Sequence, residues 1–499
     1  MNLRRALLAL FVACAANLAV AAPAFTPLLA DQGTLPLHLT APTDVAKALA
    51  VPRKGLPIQF AVSVPLALGL EGGRWQALDN DTLVWRTRLQ SLGAKSLNLE
   101  FSRFHLPEGA ALWLYDPAGT LVQGPYTHAN ENADGTLWTA LVPGETLVME
   151  LRVPQAQAAA VDLKLLRVHH AFQSFELAAA APSKSGSCNI DVICPQGDDW
   201  RDEIRAVARI SIGGNLLCSA QMMNNVRQNS DPLLLTADHC GIGDADGGPP
   251  SSVVAYWNYQ TSSCGGTPDG HLTQNQTGST KLADDVSSDF TLVRLLQSPN
   301  ASWNVYFAGF SAVKAIPQSG IAIHHPNGDE KRLSVYSDPA TRTQVDIGEG
   351  RTVDAWRVHW TAGTTEPGSS GGGLWNQDHE LVGVLSGGEA SCSNTGGPDY
   401  FARLEEAWQA QSAKAHQLKA WLDPDGTGCA DLPGRDAGDT PVSVSDCTKI
   451  SGGSGGGGSG SSSGGGGGHS GSGAFLGALP PGVLWIAVLL RVALRRRTI

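Results

Sequence analysis

The chain has 499 residues, 42% of them hydrophobic and 16% charged, so core size does not limit it and two or three domains are accommodated. Its formal net charge of −11 is modest, and no dense basic stretch occurs before the extreme C-terminus, which argues against a nucleic-acid partner. A glycine loop ending in Lys-Ser or Lys-Thr is also missing, so no phosphate cradle is expected.

Residues 1–21 read as a signal peptide. Arg4 and Arg5 precede an apolar run, and Ala19-Val20-Ala21 sets up cleavage by signal peptidase near Ala21 or Ala22. Cys14 would be the lipid-bearing residue of a lipoprotein, but the Phe-Val-Ala before it matches that signal poorly. Export leaves eight cysteines after removal of Cys14, an even number in an oxidising compartment, and predicts disulfides.

Residues 22–184 contain no cysteine and carry short strand-like runs, "SLNLEF", "ALWLYD" and "TLVMELRV", separated by Pro-Glu-Gly and Pro-Gly-Glu turns. This pattern predicts a β-sandwich-like domain. The linker "AAAAPSKSGS" follows, and residues 185–425 are again β-rich, with "AVARISI", "PLLLTA", "FTLVRLL" and "ELVGVLSGG". The stretch "DYFARLEEAWQAQSAKAHQLKAWLD" predicts an amphipathic helix closing that domain. Residues 426–473 read as a cysteine-containing, then Gly/Ser-rich, flexible linker. Residues 474–499 read as a membrane or sorting tail: the apolar "AFLGALPPGVLWIAVLL" is slightly shorter than the ~20 residues of a spanning helix, and Arg491 and Arg495 to Arg497 form a basic stop.

Two glycine-flanked serines compete as a nucleophile. Ser454 lies in the Gly/Ser tract with nothing to hold a base beside it, whereas Ser370 in "TEPGSSGGGLW" is followed by strand-forming sequence able to fix a loop. A serine hydroxyl needs a base, and the base needs an orienting acid. "PLLLTADHCG" supplies His239 after an apolar strand, and "SSDFTLVRL" supplies Asp289 at the mouth of another. The chain order His239, Asp289, Ser370 excludes the subtilisin and α/β-hydrolase orders. His169-His170 and His324-His325 lack an HExxH pattern or spaced carboxylates and are read as non-ligands, so neither a metal nor another cofactor is expected.

"TADHC" and "GSSGGG" resemble the histidine and serine motifs of chymotrypsin-type proteases, and "GSCNIDVIC", "IHHPNGD" and "TEPGSSGG" resemble the bacterial lysyl endopeptidases over residues 185–425. The resemblance implies an all-β, chymotrypsin-like double β-barrel preceded by a prodomain. It also implies roles: His239 general base, Asp289 its orienter, Ser370 nucleophile, and the N–H groups of Gly368 and Ser370 the oxyanion hole. It puts Asp399 in the primary specificity pocket with Thr364, Ser386, Gly387 and Gly388 lining the site, and implies cleavage after basic residues, lysine before arginine. The disulfides it implies are Cys188–Cys392, Cys194–Cys264 and Cys218–Cys240, which leaves Cys429 with Cys447. Three departures stand out. Ser369 replaces the aspartate that receives a freed N-terminal amine in many trypsin-like enzymes, Asp238 replaces alanine beside the histidine, and Ser386 replaces a site-wall histidine.

Residues 22–184 are thus expected to be a removable prodomain, with Lys184 as a self-cleavage site. The tail resembles the GlyGly-CTERM sorting signal of Gram-negative bacteria, which implies a transient anchor and removal by a rhomboid-type protease. The expected product is a secreted or cell-surface monomeric serine endopeptidase acting on proteins or peptides. The rival reading is a surface-tethered binding protein built on an inactive protease-like scaffold.

Overall fold

The computed structural model describes residues 25–45, 57–173, 185–348 and 350–448. The signal peptide, Lys184 and the Gly/Ser tract with its apolar tail lie outside the described residues. Among those described, no helix is long and apolar enough to cross a membrane.

Up to Ala171 the chain forms two stacked sheets. In one, Thr82–Gln90 pairs antiparallel with Thr146–Pro154 from Thr82↔Pro154 to Gln90↔Thr146; in the other, Ser96–His105 pairs with Asp162–Ala171. Strand alternation explains the packing: Leu97, Leu99 and Phe101 enter a core with Leu112, Leu114, Met149 and Leu151, which makes a β-sandwich. The alternate face of Ser96–His105 is polar yet buried, because Ser96, Asn98 and Glu100 face away from that core and are covered.

The covering surface belongs to the following domain. Ile58–Gln59 adds as an antiparallel strand to Leu216–Met223, and Phe60 N–H donates to Asn215 O at 2.9 Å. Ile58, Phe60, Trp138 and Leu141 share one apolar cluster with Leu217, Val254, Tyr256 and Leu272. His169 is buried, bonds Ser63 Oγ through Nδ1 at 2.9 Å and stacks on Trp138, and burial lowers its pKa to about 3, so it is neutral packing material. His170 Nδ1 meets Ser91 Oγ at 2.8 Å.

Two further sheets, predominantly antiparallel, contain eight and ten strands, all from Val207 onward except Ile58–Gln59 in the first and Ile190–Asp191 in the second. The first runs Asn275–Thr277, Val254–Trp257, Val207–Ile212, Leu216–Met223, Leu233–Thr236, Phe290–Leu295, Ser279–Asp285 in spatial order. The second includes Arg332–Tyr336, Gly320–His324, Gly373–Asn376, Leu381–Gly388, Pro398–Arg403 and Thr352–His359. Residues of both sheets, Ile210 and Leu235 with Ile323 and Trp375, occupy one core. This is the all-β double barrel that the resemblance implies.

Two local expectations fail. The stretch 399–423 is not one helix: Pro398–Arg403 is a strand, and only the short helices Leu404–Ala407 and Lys419–Leu422 and a 3₁₀ turn at Lys414–His416 follow. The strand is hydrogen-bonded on both sides, to Thr352–His359 and Leu381–Gly388, and this pairing overrides the helical period. The apolar residues Leu404, Trp408, Leu418 and Leu422 are still buried, through turns instead of a continuous helix. Nor does the protease body stop at 425. Asp431–Leu432 pairs with Phe310–Ser311, and Arg435–Asp436 with Tyr306–Phe307, because Cys429, Ala430 and Leu432 fill the core.

Phe60 is fully buried in the cluster shared by sandwich and barrel. Phe60→Ala is expected to destabilise the intact chain by about 3–5 kcal/mol, read as a lowered denaturant midpoint.

Candidate active site

Two adjacent strands bring His239 and Asp289 together. Leu233–Thr236 pairs antiparallel with Phe290–Leu295, with Thr236 opposite Thr291, so two residues after Thr236 and two before Thr291 the register brings 238 beside 289. A 3₁₀ turn, Asp238–Cys240, closes on Gly241 at φ 80° and turns the imidazole toward the carboxylate. The Cys218–Cys240 disulfide fixes this turn to the neighbouring strand. Asp289 is fully buried at φ 43°, a left-handed conformation that Asp tolerates better than most residues. Its Oδ1 accepts from His239 N–H at 2.9 Å, and Oδ2 lies 2.9 Å from His239 Nδ1.

Ser370 comes from the other barrel. Its carbonyl accepts Ser219 N–H at 2.8 Å, and Gly371 packs so close to Thr236, Ser219 and Ala237 that a Cβ there would overlap them. The serine loop therefore sits against the strand end that carries His239. No hydrogen bond joins Ser370 to His239, and His239 Nε2 is buried without a partner. In free enzymes such bonds are commonly long and tighten around substrate.

The Pro367–Gly368 and Ser369–Ser370 peptides are oriented by their carbonyls. Pro367 O accepts Asn327 N–H at 2.6 Å, and Ser369 O accepts Gly372 N–H at 2.8 Å. In a trans peptide the N–H points opposite to the C=O, so Gly368 N–H and Ser370 N–H are turned away from those partners. Among the described residues neither N–H donates to a protein acceptor, whereas Ser369 N–H bonds Glu366 O and Gly371 N–H bonds Leu385 O. Gly368 adopts φ +88°, and a Cβ there would press on Gly328 N and His325 O at 3.0 and 3.1 Å.

Asp399 is fully buried between two strands, opposite Gly388 on one side and Val358 on the other. Its Oδ2 accepts from Trp360 Nε1–H and Thr365 Oγ–H, each at 2.7 Å. A side chain on Gly388 would collide with Asp399 Oδ1, which also accepts Ala390 N–H at 3.3 Å. Thr364 and Ser386 are buried, and Ser386 Oγ has no partner.

The cysteines pair as Cys188–Cys392, Cys194–Cys264, Cys218–Cys240 and Cys429–Cys447. Cys392 lies seven residues before Asp399. The domain's first residues thus reach the neighbourhood of the serine loop, where Gly186 N–H and Asn189 Nδ2 donate to Glu366.

Some contributors were not apparent in sequence. Arg351 reaches Asp238 with Nη1 at 2.5 Å from Oδ2, and no local string marks that pairing. Trp360 and Ser219 are likewise visible only through their contacts. The "IHHPNGD" string was the available signal for the segment that braces the serine loop.

The fold and this chemistry define a serine protease of the double-barrel class. Residues 182–402 match the family model described as lysyl endopeptidase, C-terminal domain, and residues 46–172 that described as lysyl endopeptidase N-terminal domain. Both segments are thus similar to lysyl endopeptidase domains. A lysyl endopeptidase of Pseudomonas aeruginosa is 28% identical over 409 residues, 73% of this chain and 84% of the relative. Among solved structures, a protease from M. tuberculosis in its active form matches at TM-score 0.31 and 16% identity, covering 49% of this chain and 94% of that one. The MamO protease domain from Magnetospirillum magneticum matches at TM-score 0.30 and 12% identity, covering 43% of this chain and all of that one.

Burial, and next the negative charge of Asp289, push the Asp238 carboxyl up to about 6, against the pull of Arg351. Between pH about 4 and about 6 the folded chain keeps a proton on Asp238 that the unfolded chain has released. Its contribution to stability is present below that window and lost as pH rises through it. Urea midpoints are therefore expected to fall less from about pH 4 to about pH 7 in Asp238→Asn than in the wild type.

Proposed function

We propose that the chain is a secreted endopeptidase that cuts after basic residues through an acyl-enzyme. The observation that carries this reading is the buried Asp289–His239 pair with its second ring nitrogen unpartnered. In this reading Asp289 holds the Nδ1–H tautomer and stabilises the imidazolium. His239 Nε2 takes the Ser370 hydroxyl proton as Oγ attacks the scissile carbonyl, then delivers it to the leaving amine. Gly368 and Ser370 N–H receive the oxyanion; a single such donor contributes about 2.7–4 kcal/mol to the transition state. Water repeats the cycle to release the acid.

Asp399 supplies the counter-charge for a lysine or arginine side chain, whose burial unpaired is strongly unfavourable. A compact ammonium can meet one carboxylate, whereas a guanidinium seeks two-point pairing, which favours lysine. The unpartnered Ser386 hydroxyl adds one further polar group at this wall.

Maturation in this reading proceeds by signal-peptide removal near Ala21 or Ala22, cleavage after Lys184 by the enzyme itself, and trimming of the C-terminal tail by a rhomboid-type protease after transient anchoring. The product is a monomer outside the cell or at its surface.

Two measurements test the reading. A fluorophosphonate should label the mature protein at Ser370 and leave Ser370→Ala unlabelled; an unlabelled wild type would favour the inactive scaffold. On peptides differing only at the residue before the cut, Asp399→Asn should lose at least about 10²-fold in kcat/KM on lysine, as expected for breaking a buried ion pair, with little change on leucine. Unchanged lysine preference overturns the specificity.

A further inference from the structure

Ser369 leaves the loop without the carboxylate that anchors it in many trypsin-like enzymes. The hydroxyl nevertheless has buried partners. Ser369 Oγ lies 2.8 Å from His324 Nδ1 and accepts Glu366 N–H at 3.2 Å. His324 Nε2 lies 3.1 Å from Ser334 Oγ, and the Ser334 hydroxyl donates to Thr364 O at 2.7 Å. His324, Ser334, Thr364 and Ser369 are all buried.

Proton directions follow from this connectivity. Ser334 spends its only hydrogen on Thr364 O, so toward His324 its oxygen can only accept, and His324 Nε2 must carry a hydrogen. In the neutral ring Nδ1 is then an acceptor and receives the Ser369 hydroxyl hydrogen. The chain of bonds leaves the serine loop at Ser369 and re-enters it at Thr364. It ties the residue next to the nucleophile to the floor of the specificity region.

A second brace acts on the same loop from the first barrel. Ser219 Oγ accepts His325 N–H at 2.9 Å and donates to Gly368 O at 3.1 Å. Asn327 N–H holds Pro367 O, as described above. The segment from His324 to Asn327 therefore contacts the loop at three successive residues, Pro367, Gly368 (through Ser219) and Ser369.

We propose that His324 is a positioning residue that presets the oxyanion loop through Ser369, replacing a carboxylate anchor with a closed circuit of buried hydrogen bonds. The loop then needs no newly freed amine to order it, and the site is shaped before the prodomain is cut. This inference rests on the reading of Ser370 as nucleophile, and the test separates the two.

His324→Phe, His324→Gln, Ser369→Ala and the His324→Phe/Ser369→Ala double variant would be made in the full chain. Each would be assayed for fluorophosphonate labelling, kcat and KM on a lysyl peptide amide, and binding of a lysyl peptide aldehyde against the corresponding uncleavable peptide. His324→Phe and Ser369→Ala are expected to lower kcat by about tenfold with KM within about twofold, the size of losing one buried hydrogen bond. They should weaken the aldehyde, which forms the tetrahedral adduct, and leave the uncleavable peptide unaffected. His324→Gln, whose amide both accepts and donates, should recover most of the activity. The double variant should be no worse than either single change. Ser369→Ala removes one small polar atom and keeps the test open if His324→Phe does not fold. Unchanged kcat in Ser369→Ala, additive losses, or equal losses for both ligands would overturn the proposal. Absence of labelling in the wild type would instead defeat the nucleophile assignment beneath it.

Discussion

The site is organised around a carboxylate with no access to water. A charge at Asp289 survives in the core only because donors reach it, and His239 provides two, its backbone N–H and its ring. That requirement dictates much of the surroundings. The strands must hold the 236–291 register, the turn after Thr236 must fold the imidazole back, and Cys240 must be tethered so that the turn cannot slide. Arg351, arriving from the second barrel, offsets the additional negative charge at Asp238 that stands next to this pair.

The chemistry was more legible in the sequence than the scaffold. Histidine, aspartate and serine each sit in a short string whose meaning depends on immediate neighbours, so strand ends and glycines announced them. The stretch 399–423 misled because period 3.6 in its apolar residues is real, yet strand pairing on two sides determines the backbone of its first part. The role of Cys429 to Asp436 depends on partners more than a hundred residues earlier, at Tyr306 to Ser311, which no local pattern encodes. His324 shows the same limit in another form. Its string is visible in the sequence, but its partners are 10 and 45 residues away.

The sandwich and the first barrel are coupled by more than a linker. A strand of the N-terminal region extends the barrel sheet, and buried polar groups on one sandwich face bond barrel backbone, as Asn98 Nδ2 does with Gly214 O at 3.3 Å. Both faces of the strand Ser96–His105 are therefore used, one for its own core and one for its neighbour. His169 fits the same logic: its ring occupies the space that Gly214 leaves by lacking a side chain.

The two longest-range disulfides have an effect when read together. Cys188 is bonded to Cys392 shortly before the second barrel's strand Pro398–Arg403, and Cys194, six residues on, is bonded to Cys264 in the first barrel's loops. The segment between them is a covalent strap across the two halves, pinned midway where Ile190–Asp191 pairs with Arg332–Tyr336. In the proposed mechanism His239 and Asp289 come from one half and Ser370 and Asp399 from the other, so hydrolysis requires the halves to be in register. The strap keeps them at a high effective concentration whenever thermal motion parts them, so reassembly of the site is an intramolecular return and not a search through solution.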